Sequence, residues 1–424
     1  SLLLSPMAKN SSAGFYNGAV SSSLRMQNGR LTRTPSATGN PKKWTFSAWI
    51  KRGTLGQSYI FAGSPLAAGY DGLAAIYFDG TDQLHTYYDT SGANPYGAVG
   101  PRLYRDTSSW YHIVWAVDAA NTIHKIWINN ELVSTDTGKY PPNVNYGMNN
   151  SGDEMVIGDG SWDSYGSADF NGYMAEINYL DNQYLEPDAF AETKNGIWIP
   201  LKDPSLTYGT NGFRLQMKQS GVGTASTSTI GADTSGNTHH FTSSGIVASD
   251  CALPDSPENN FATWNEVDAK GSAATMAEGN LKVTSGGNSY DNIPSTFMMS
   301  SGKWYWEVTG NTYSAAICGV DGIGWGGSVS GTGSNAIGYW TTGPLYYDGG
   351  NVQGGASYAT TDVLAVSVDM DSGIAKFYKN NSEQYSVTFG ESGIPDLSAG
   401  AFPIRNGSTT GSYTIANFGQ DSSF

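Results

Sequence analysis

The sequence predicts an all-β protein with two β-sandwich domains joined by a loop-rich connector. Glycine accounts for 54 of the 424 residues, 12% are aromatic and only 14% are charged, which is typical of short strands joined by many turns. A chain of this length has room for two domains of about 150 to 200 residues each. The third observation is a strand-turn-strand pattern that occurs once in each half of the chain.

Each of these two patterns predicts a β-hairpin. A run of β-branched and apolar residues leads to Asp, Asn, Ser or Gly, and a second apolar run follows. The hairpins comprise residues 110–129, with the turn at 118–121, and residues 361–380, with the turn at 369–373. Because each lies within strand-rich sequence, they predict two separate sandwiches.

The first sandwich is predicted over residues 21–202. Residues 44–50 alternate large apolar residues with small or polar ones, as a half-buried strand does. Residues 1–20 precede this domain as an arm, which either docks on a neighbouring molecule or frays. Strands are expected at residues 24–26, 44–51, 59–62, 74–78, 84–88, 111–117, 124–129, 155–157 and 172–179.

Residues 203–263 are predicted as a connector with little core of its own. They are rich in Thr, Ser and Gly, and Pro254 and Pro257 follow one another closely. The second sandwich is predicted over residues 264–424. Its strands are expected at residues 280–284, 302–308, 315–320, 335–340, 345–347, 363–368, 374–379 and 413–418.

Five motifs follow one another in the first domain. They read SATG, WTFSAWIK, WYHIV, IWINN and FNGYMAEIN, at residues 36–39, 44–51, 110–114, 126–130 and 170–178. Together they resemble the laminin-G-like, concanavalin-type jelly roll. The resemblance implies a lectin-like sandwich that presents loops at its rim.

The second domain carries GKWYWEV at residues 302–308, IGYW at 337–340 and IANFGQ at 415–420. These motifs and the later hairpin resemble a SPRY domain, which is also a bent β-sandwich. SPRY domains bind partners through loops at one end and are not catalytic as a family. The resemblance therefore implies partner binding.

The connector supplies a third resemblance. GADTSGN at residues 231–237, HF at 240–241 and DSPENNFATWN at 255–265 resemble a linker that recurs in structural proteins of marine tailed bacteriophages. This resemblance implies that the protein is part of a virion, and it implies no particular chemistry.

Charge, hydropathy and cysteine content limit the partners, membrane segments and disulfides that we expect. The formal net charge is -15 and Lys and Arg do not cluster, so we expect no hold on nucleic acid. No segment is long enough to span a bilayer, and the start, SLLLSPMAKN, lacks the basic leader of a signal peptide, so we expect delivery by assembly or lysis. Cys251 and Cys318 are expected to be free thiols.

The sequence predicts no catalytic site. A glycanase on a concanavalin-type sandwich needs two carboxylates that alternate on one strand and face the same cleft. In the nearest string, Glu176 to Asp181, the middle acid position is Asn178, and Asp181 falls on the opposite face of a strand. A laminarinase-like hydrolase therefore remains only the alternative function.

Calcium is the one cofactor that the sequence leaves open. Asp153, Asp159 and Asp163 lie in one polar segment, and Ca²⁺ accepts carboxylate and carbonyl oxygens flexibly. The alternative is an ordinary solvated loop. The five histidines have no Cys or acidic partners at ligand spacing, so no zinc site is expected.

Aromatic residues in loops are the candidate ligand-binding groups. The apolar face of a pyranose stacks on an aromatic ring while nearby carboxylates bind hydroxyls. Trp304, Tyr339 and Trp340 lie on expected strands and are assigned to the core. The candidates are Trp162 and Tyr165 beside Asp159 and Asp163 in the first domain, and Trp325, Tyr346 and Tyr347 in the second.

We therefore expect a non-enzymatic virion protein of a tailed phage, either a tail-associated adhesin or a capsid decoration. Many copies at fixed spacing would multiply weak contacts to a host-surface glycan or protein. Other virion proteins are the expected partners, and symmetric homo-oligomers are expected. A cellular lectin is the remaining alternative, and it would need a secretion signal.

Overall fold

The computed structural model describes residues 15–16, 18–64, 72–88, 97, 99–134, 147–160, 168–269, 274–286, 291–311, 318–322, 335–347, 350–407 and 409–421. It divides into two compact units, one that ends at Asn260 and one that begins at Phe261. The predicted arm, residues 1–20, lies almost wholly outside the described residues. Within them, no helix has the length and apolar character that crossing a membrane requires.

The described residues of the first unit form sixteen strands and three short 3-10 helices. The helices are Ala119–Asn121, Pro187–Ala189 and Ala248–Asp250. The strands are β1 (Leu24–Met26), β2 (Arg30–Arg33), β3 (Lys43–Arg52), β4 (Ser58–Ser64), β5 (Ala74–Phe78), β6 (Gln83–Tyr88), β7 (Val99–Leu103), β8 (Tyr111–Asp118), β9 (Ile123–Ile128), β10 (Glu131–Ser134), β11 (Glu154–Ile157), β12 (Gly172–Asp181), β13 (Ala191–Lys194), β14 (Ile197–Pro200), β15 (Phe213–Leu215) and β16 (Thr242–Ser244).

Two antiparallel sheets enclose the core of this unit. The first sheet has the order β1-β12-β3-β8-β9-β10, with β15 also paired to β12, and the second has the order β16-β2-β11-β4-β5-β6-β7. Their facing sides supply a continuous apolar cluster that includes Trp44, Phe46, Phe61, Ile76 and Trp115. The all-β prediction is thus confirmed.

The hairpin predicted at residues 110–129 is confirmed as β8 and β9. Ile113 lies opposite Ile128 and Asp118 lies opposite Ile123, and the helix Ala119–Asn121 closes the turn. Thr122 ends that turn with a φ of 58°. The other face of the first sheet is covered by the hairpin of β13 and β14, where Trp49, Tyr173 and Trp198 pack together.

The segment predicted as a connector belongs largely to the first unit. Its strand β15 pairs with β12, and its strand β16 pairs with β2. Phe213, Leu215 and Phe241 are fully buried in the main core. The polar composition hid this role because the apolar residues are few and widely spaced, so they form no core by themselves and complete one that the jelly roll provides.

The second unit is also an antiparallel sandwich, which confirms the sandwich predicted for the second domain. Its strands are β17 (Thr275–Ala277), β18 (Lys282–Thr284), β19 (Asp291–Pro294), β20 (Lys303–Gly310), β21 (Cys318–Gly322), β22 (Ala336–Tyr339), β23 (Leu345–Tyr347), β24 (Gly350–Val352), β25 (Leu364–Asp369), β26 (Ile374–Lys379), β27 (Ser382–Thr388), β28 (Ala401–Gly407) and β29 (Tyr413–Asn417). The third sheet has the order β17-β18-β29-β20-β25-β26-β27, and the fourth has the order β19-β28-β21-β22-β23-β24.

The hairpin predicted at residues 361–380 is confirmed as β25 and β26. Leu364 lies opposite Lys379 and Asp369 lies opposite Ile374. The turn ends at Gly373, whose φ of 67° favours glycine. The inward residues Leu364, Val366 and Val368 pack with Trp264, Trp306, Tyr339 and Phe377 in the core of this unit.

Candidate functional site

A row of three rings lies on the outer face of the second sheet. Tyr59 of β4 lies directly opposite Tyr77 of β5, and Tyr77 lies directly opposite His85 of β6. The Tyr59 and Tyr77 rings stack with centroids 4.9 Å apart and an interplanar angle of 22°. The centroids of the Tyr77 and His85 rings are 5.4 Å apart. We call these three residues the tyrosine face.

Strand alternation places these rings outward. In β5, Ile76 and Phe78 are fully buried in the core while Tyr77 between them is half-buried. In β6, Leu84 is fully buried and His85 is half-buried. Because successive side chains of a strand point to opposite faces, the core positions fix the outward ones. The tyrosine face is therefore held on three rigid strands and not on a loop.

Asp79 supplies a carboxylate at one end of the row. Its Oδ2 atom lies 2.9 Å from His85 Nε2. Burial alone would raise the pKa of Asp79, but hydrogen bonds from the amides of Thr81 and Gln83 and from the Thr81 hydroxyl outweigh it and lower that pKa. Burial also raises the pKa of Tyr77 to about 12, so its hydroxyl stays protonated and can donate a hydrogen bond.

Two short stretches of chain border Tyr59. Gly160 lies so close that a Cβ atom there would come within 2.2 Å of the Tyr59 ring. The amide of Tyr59 donates to the carbonyl of Ala168 at 2.9 Å. A side chain at position 160 would displace the Tyr59 ring, so glycine is required for the row to keep its geometry.

An acidic pair adjoins these two stretches. Asp159 precedes Gly160, and Asp169 follows Ala168. Arg30 Nη1 donates to Asp159 Oδ2 at 2.8 Å. Burial, together with a hydrogen bond to Asp159 and the charge of Asp159, raises the pKa of Asp169 to about 6. Asp169 is therefore protonated only below a pH of about 6, and Arg30 neutralises the charge of Asp159.

Two of the three expected calcium ligands, Asp153 and Asp159, lie on either side of strand β11. Asp159 follows β11, whereas Asp153 precedes it and accepts a hydrogen bond from Asn150 Nδ2 at 2.9 Å. A strand rises about 3.3 Å per residue, so the four residues of β11 alone separate the two carboxylates by about 13 Å. One calcium ion with ligand distances of about 2.5 Å cannot bind both. Among the described residues, no three His, Cys, Asp or Glu side chains are grouped to hold a metal.

The remaining predicted site residues fall into two groups. Trp162, Asp163, Tyr165 and Trp325 lie outside the described residues. Tyr346 and Tyr347 are adjacent on β23 and point to opposite faces of the fourth sheet. Tyr347 packs against the core with Gly350 and Gly393 near its ring, whereas Tyr346 pairs with Trp340, their centroids 5.1 Å apart.

The residues assigned to the second core differ in their environment. Tyr339 is fully buried, as expected, and Trp304 is half-buried and packs against the core. Trp340 is half-buried and packs on Ala336 and Ile404, apart from the main core. Trp340 and Tyr346 therefore form a second, smaller aromatic surface.

The sequence pattern did not predict the tyrosine face. It places Tyr59, Tyr77 and His85 on strands, and an aromatic residue on a strand usually belongs to the core. The signal that identifies them is the alternation within AAIYF and QLHTYY, which leaves Tyr77 and His85 on the face opposite Ile76 and Leu84. Strand pairing, which brings the three rings into one row, could not be inferred from the separate segments.

The carboxylates considered for catalysis lie elsewhere and are engaged. Glu176 forms an ion pair with Arg214 at 2.5 Å. Asp181 accepts hydrogen bonds from the amides of Asn40 and Asn211 and from the side chain of Asn149. Neither carboxylate adjoins the tyrosine face. The tyrosine face itself offers stacking surfaces, a phenol donor and, beside it, an imidazole with a carboxylate.

Comparison with known proteins finds one family model, which matches within the first unit. Residues 27–187 match the family model described as the concanavalin A-like lectin/glucanases superfamily. No curated protein matches the sequence.

Among solved structures, the SPRY domain of human HERC1 is similar, with 18% identity over 37% of this chain and 98% of that chain and a TM-score of 0.32. The heptameric SAP-like pentraxin of Limulus polyphemus is 16% identical over 39% of this chain and 76% of its own, with a TM-score of 0.29. The CBM40 domain of the Ruminococcus gnavus IT-sialidase, in a complex with α2,3-sialyllactose, is 15% identical over 39% of this chain and 92% of that chain, with a TM-score of 0.32.

Proposed function

We propose that this protein is a non-enzymatic binding protein of a tailed-phage particle and that its tyrosine face binds a glycan. The particle origin is supported by the resemblance of the connector motifs to a phage linker. The binding role is supported by the concanavalin A-like jelly roll. The observation that carries the glycan proposal is the row of Tyr59, Tyr77 and His85 on an outward sheet face.

The chemistry of the row suits a sugar ring. The C–H face of a pyranose stacks on an aromatic ring, and its hydroxyls need donors and acceptors at the edge of that ring. Tyr59 and Tyr77 offer the stacking surface, while the Tyr77 hydroxyl, His85 and Asp79 offer the polar groups. Rigid strands hold these groups in place before binding, which lowers the entropic cost of association.

The test is glycan binding by the substitution Tyr77→Ala. Each aromatic contact is worth about 0.5 to 1.5 kcal/mol beyond the area it buries, so we expect binding to weaken at least about tenfold. Binding is measured by glycan array followed by calorimetry on the best neutral oligosaccharide. The control is Tyr184→Ala, because Tyr184 is also half-buried in this unit but contacts Lys125 and Trp127 of the first sheet. Equal loss in both variants, or none in Tyr77→Ala, would contradict the proposal.

The alternative, a laminarinase-like glycoside hydrolase, has less support. Glycosidases separate their two carboxyl groups by about 5 Å or more to admit the glycosidic bond or a water. Asp159 raises the pKa of Asp169 through its charge and a hydrogen bond, which indicates that these two carboxyl groups lie next to each other, and Glu176 is held by Arg214. Release of reducing sugar from a panel of algal and bacterial glycans would establish the enzyme and overturn the non-enzymatic proposal.

The place of the protein on the particle is a separate part of the proposal. Multiple copies on a tail or capsid would raise the avidity of weak single-site binding, provided that the spacing permits several contacts at once. Labelling intact virions with an antibody to the first unit, and imaging them by electron microscopy, should show tail or capsid decoration. Virions without label, or label on host cells alone, would remove the particle assignment and leave the glycan proposal to its own test.

A further inference from the structure

A polar cleft of about 380 Å³ lies in the first unit, apart from the tyrosine face. It opens where residues 238–242 run beside β2 and its continuation, so the segment predicted as a connector forms one wall. Its charged and imidazole side chains are Arg33, Glu154, His239 and His240, and threonines and a serine complete the lining. This volume falls within the range of small-molecule sites, about 300 to 1,000 Å³.

Arg33 is the feature that sets this cleft apart. Of the eight arginines, all of which lie among the described residues, Arg33 alone has no carboxylate of a described residue within 4.0 Å. Its Nη1 makes only a 3.4 Å contact to the carbonyl of Asn211 and a 3.9 Å contact to Met155 Sδ. A guanidinium carries five N–H donors in a fork that matches a carboxylate.

The guanidinium is also partly desolvated. Burial lowers the pKa of Arg33 to about 10, against the charges of Asp233 and Tyr179, so the group is still cationic at neutral pH. Asp233 forms no ion pair with Arg33 within 4.0 Å, and both of its carboxylate oxygens accept hydrogen bonds from other groups. A half-buried cation that forms no ion pair with the described residues has much to gain from an anionic ligand.

The imidazoles of His239 and His240 indicate which other groups the ligand carries. His240 Nδ1 accepts the amide hydrogen of Asp233, so its proton is on Nε2, which can donate. His239 Nδ1 lies 3.0 Å from the carbonyl of Gly212 and must donate to it, so its Nε2 can accept. Burial, with the nearby charge of Arg33, lowers the pKa of His239 and keeps it neutral. Neutral donors and acceptors of this kind suit hydroxyl groups.

Glu154 adds a second, opposite charge to the lining. Its carboxylate lies more than 4 Å from any Lys or Arg nitrogen of the described residues, so it too is available to a ligand. A carboxylate accepts hydrogen bonds from hydroxyls but repels a second carboxylate. It therefore favours a ligand whose acid group is at one end and whose hydroxyls are at the other.

We propose that this cleft binds a sugar acid, with the ligand carboxylate on Arg33 and its hydroxyls on Glu154, the two imidazoles and the threonines. A uronic acid has this combination of one carboxylate and several hydroxyls on a rigid ring. The proposal concerns a second site and does not rest on the tyrosine face.

The experiment is a calorimetric titration of the full chain with D-glucuronate, D-glucose and sulfate, in low salt at pH 7. We expect D-glucuronate to bind at least tenfold more tightly than D-glucose, since the neutral sugar lacks the group that pairs with Arg33. It should also bind at least tenfold more tightly than sulfate, since sulfate lacks hydroxyls. If D-glucose bound as tightly as D-glucuronate, the proposed role of Arg33 would be wrong. If sulfate bound as tightly, the proposal that the ligand is a sugar would be wrong.

Two substitutions in the cleft change affinity in opposite directions. Arg33→Gln should weaken D-glucuronate binding at least tenfold. Glu154→Gln should strengthen it several-fold, because the amide oxygen of Gln still accepts hydrogen bonds from the ligand hydroxyls while the repulsion between the two carboxylates is removed. The matched control is Arg102→Gln, which removes an exposed guanidinium paired with Glu131 and should change nothing. If Arg33→Gln does not fold, the increase in D-glucuronate affinity expected for Glu154→Gln tests the site instead. An unchanged or lower affinity in Glu154→Gln, or unchanged binding in a folded Arg33→Gln, would refute the site.

The two proposed sites are distinguished by their variants. Tyr77→Ala should leave D-glucuronate binding unchanged, and Arg33→Gln should leave neutral oligosaccharide binding unchanged. Loss of both activities in either variant would mean that a single site binds both ligands, which would contradict the separate cleft.

Discussion

His112 and His124 show how far burial controls the chemistry of single residues in this protein. Trp198 Nε1 donates to His112 Nδ1 at 3.1 Å, so His112 Nε2 carries the proton and donates to Ser47 Oγ at 2.9 Å. Trp115 Nε1 donates to His124 Nε2 at 2.6 Å. Burial lowers the pKa of each imidazole to about 3. The sequence predicted no zinc site at these histidines, and its pattern did not indicate that both are neutral core residues.

These histidines predict a loss of stability in acid. Each has a pKa of about 3 in the folded state against about 6.5 when unfolded, so between these values the unfolded chain binds protons that the folded chain does not. Stability therefore falls as the pH drops from about 6.5 towards 3, by up to about 1.4 kcal/mol per pH unit for each histidine.

Urea unfolding of the wild type and of His112→Gln across pH 7 to 4 measures this slope. We expect a shallower slope in the variant, whatever its stability at pH 7. His124→Gln, at the other buried imidazole, should make the slope shallower in the same way. Parallel slopes for wild type and His112→Gln would show that His112 is protonated in the folded state.

At the scale of the element, β12 explains why the nearest candidate for a catalytic acid is structural. The pairing of β12 with β3 shifts register between Ala175 and Asn178, and Glu176 lies in this bulge with a φ of 45°. The bulge directs Glu176 towards Arg214 of β15. Burial raises the pKa of Glu176, and the charge and hydrogen bond of Arg214 oppose that effect. The ion pair thus joins the connector segment to the jelly roll.

Removing one partner of this pair should destabilise the first unit. Glu176→Gln leaves Arg214 with little access to water and no counter-charge, which costs about 3 kcal/mol. The double substitution Glu176→Gln with Arg214→Gln should recover part of that loss, because no charge is then left unpaired. Chemical denaturation of the single and double variants measures the difference. A double variant that is no more stable than Glu176→Gln alone would contradict this account.

At the scale of the whole molecule, the extent of the first unit depends on the segment after residue 202. Phe213 stacks on Tyr179 with centroids 5.5 Å apart and contacts Phe241 at 4.6 Å. Further along, Lys51 and Asp255 form a fully buried ion pair at 3.0 Å. The segment between Lys202 and Asn260 thus provides part of the core, an edge strand and a buried counter-charge.

Truncation tests this extent directly. A fragment of residues 11–260 should fold, whereas a fragment of residues 11–202 should not reach a unique fold. The shorter fragment lacks Phe213, Leu215 and Phe241, and burial of each of these side chains stabilises the fold by about 2 kcal/mol. It also leaves the buried Lys51 without Asp255, its ion-pair partner. Two-dimensional NMR spectra of the two fragments measure this. Equally dispersed spectra would show that residues 203–260 are a true connector.

Local sequence patterns were enough to predict the class of fold, the two sandwiches and both long hairpins. These are local properties, because alternation, β-branched runs and turn residues act between near neighbours in the chain. Motifs that keep their order also predicted the concanavalin-type jelly roll, and residues 27–187 match the model of that superfamily. The same local information assigned Tyr339 to the core and left Glu176 without a second catalytic acid.

Which distant residues meet depends on how the strands pair and pack. The tyrosine face depends on the register of three strands, and the polar cleft depends on residues 238–242 lying beside β2. The separation of Asp153 from Asp159 by β11 likewise follows from folding. A pattern along the chain fixes the face on which a side chain lies. Pairing and packing over long sequence distances fix its neighbours, and binding sites are made of those neighbours.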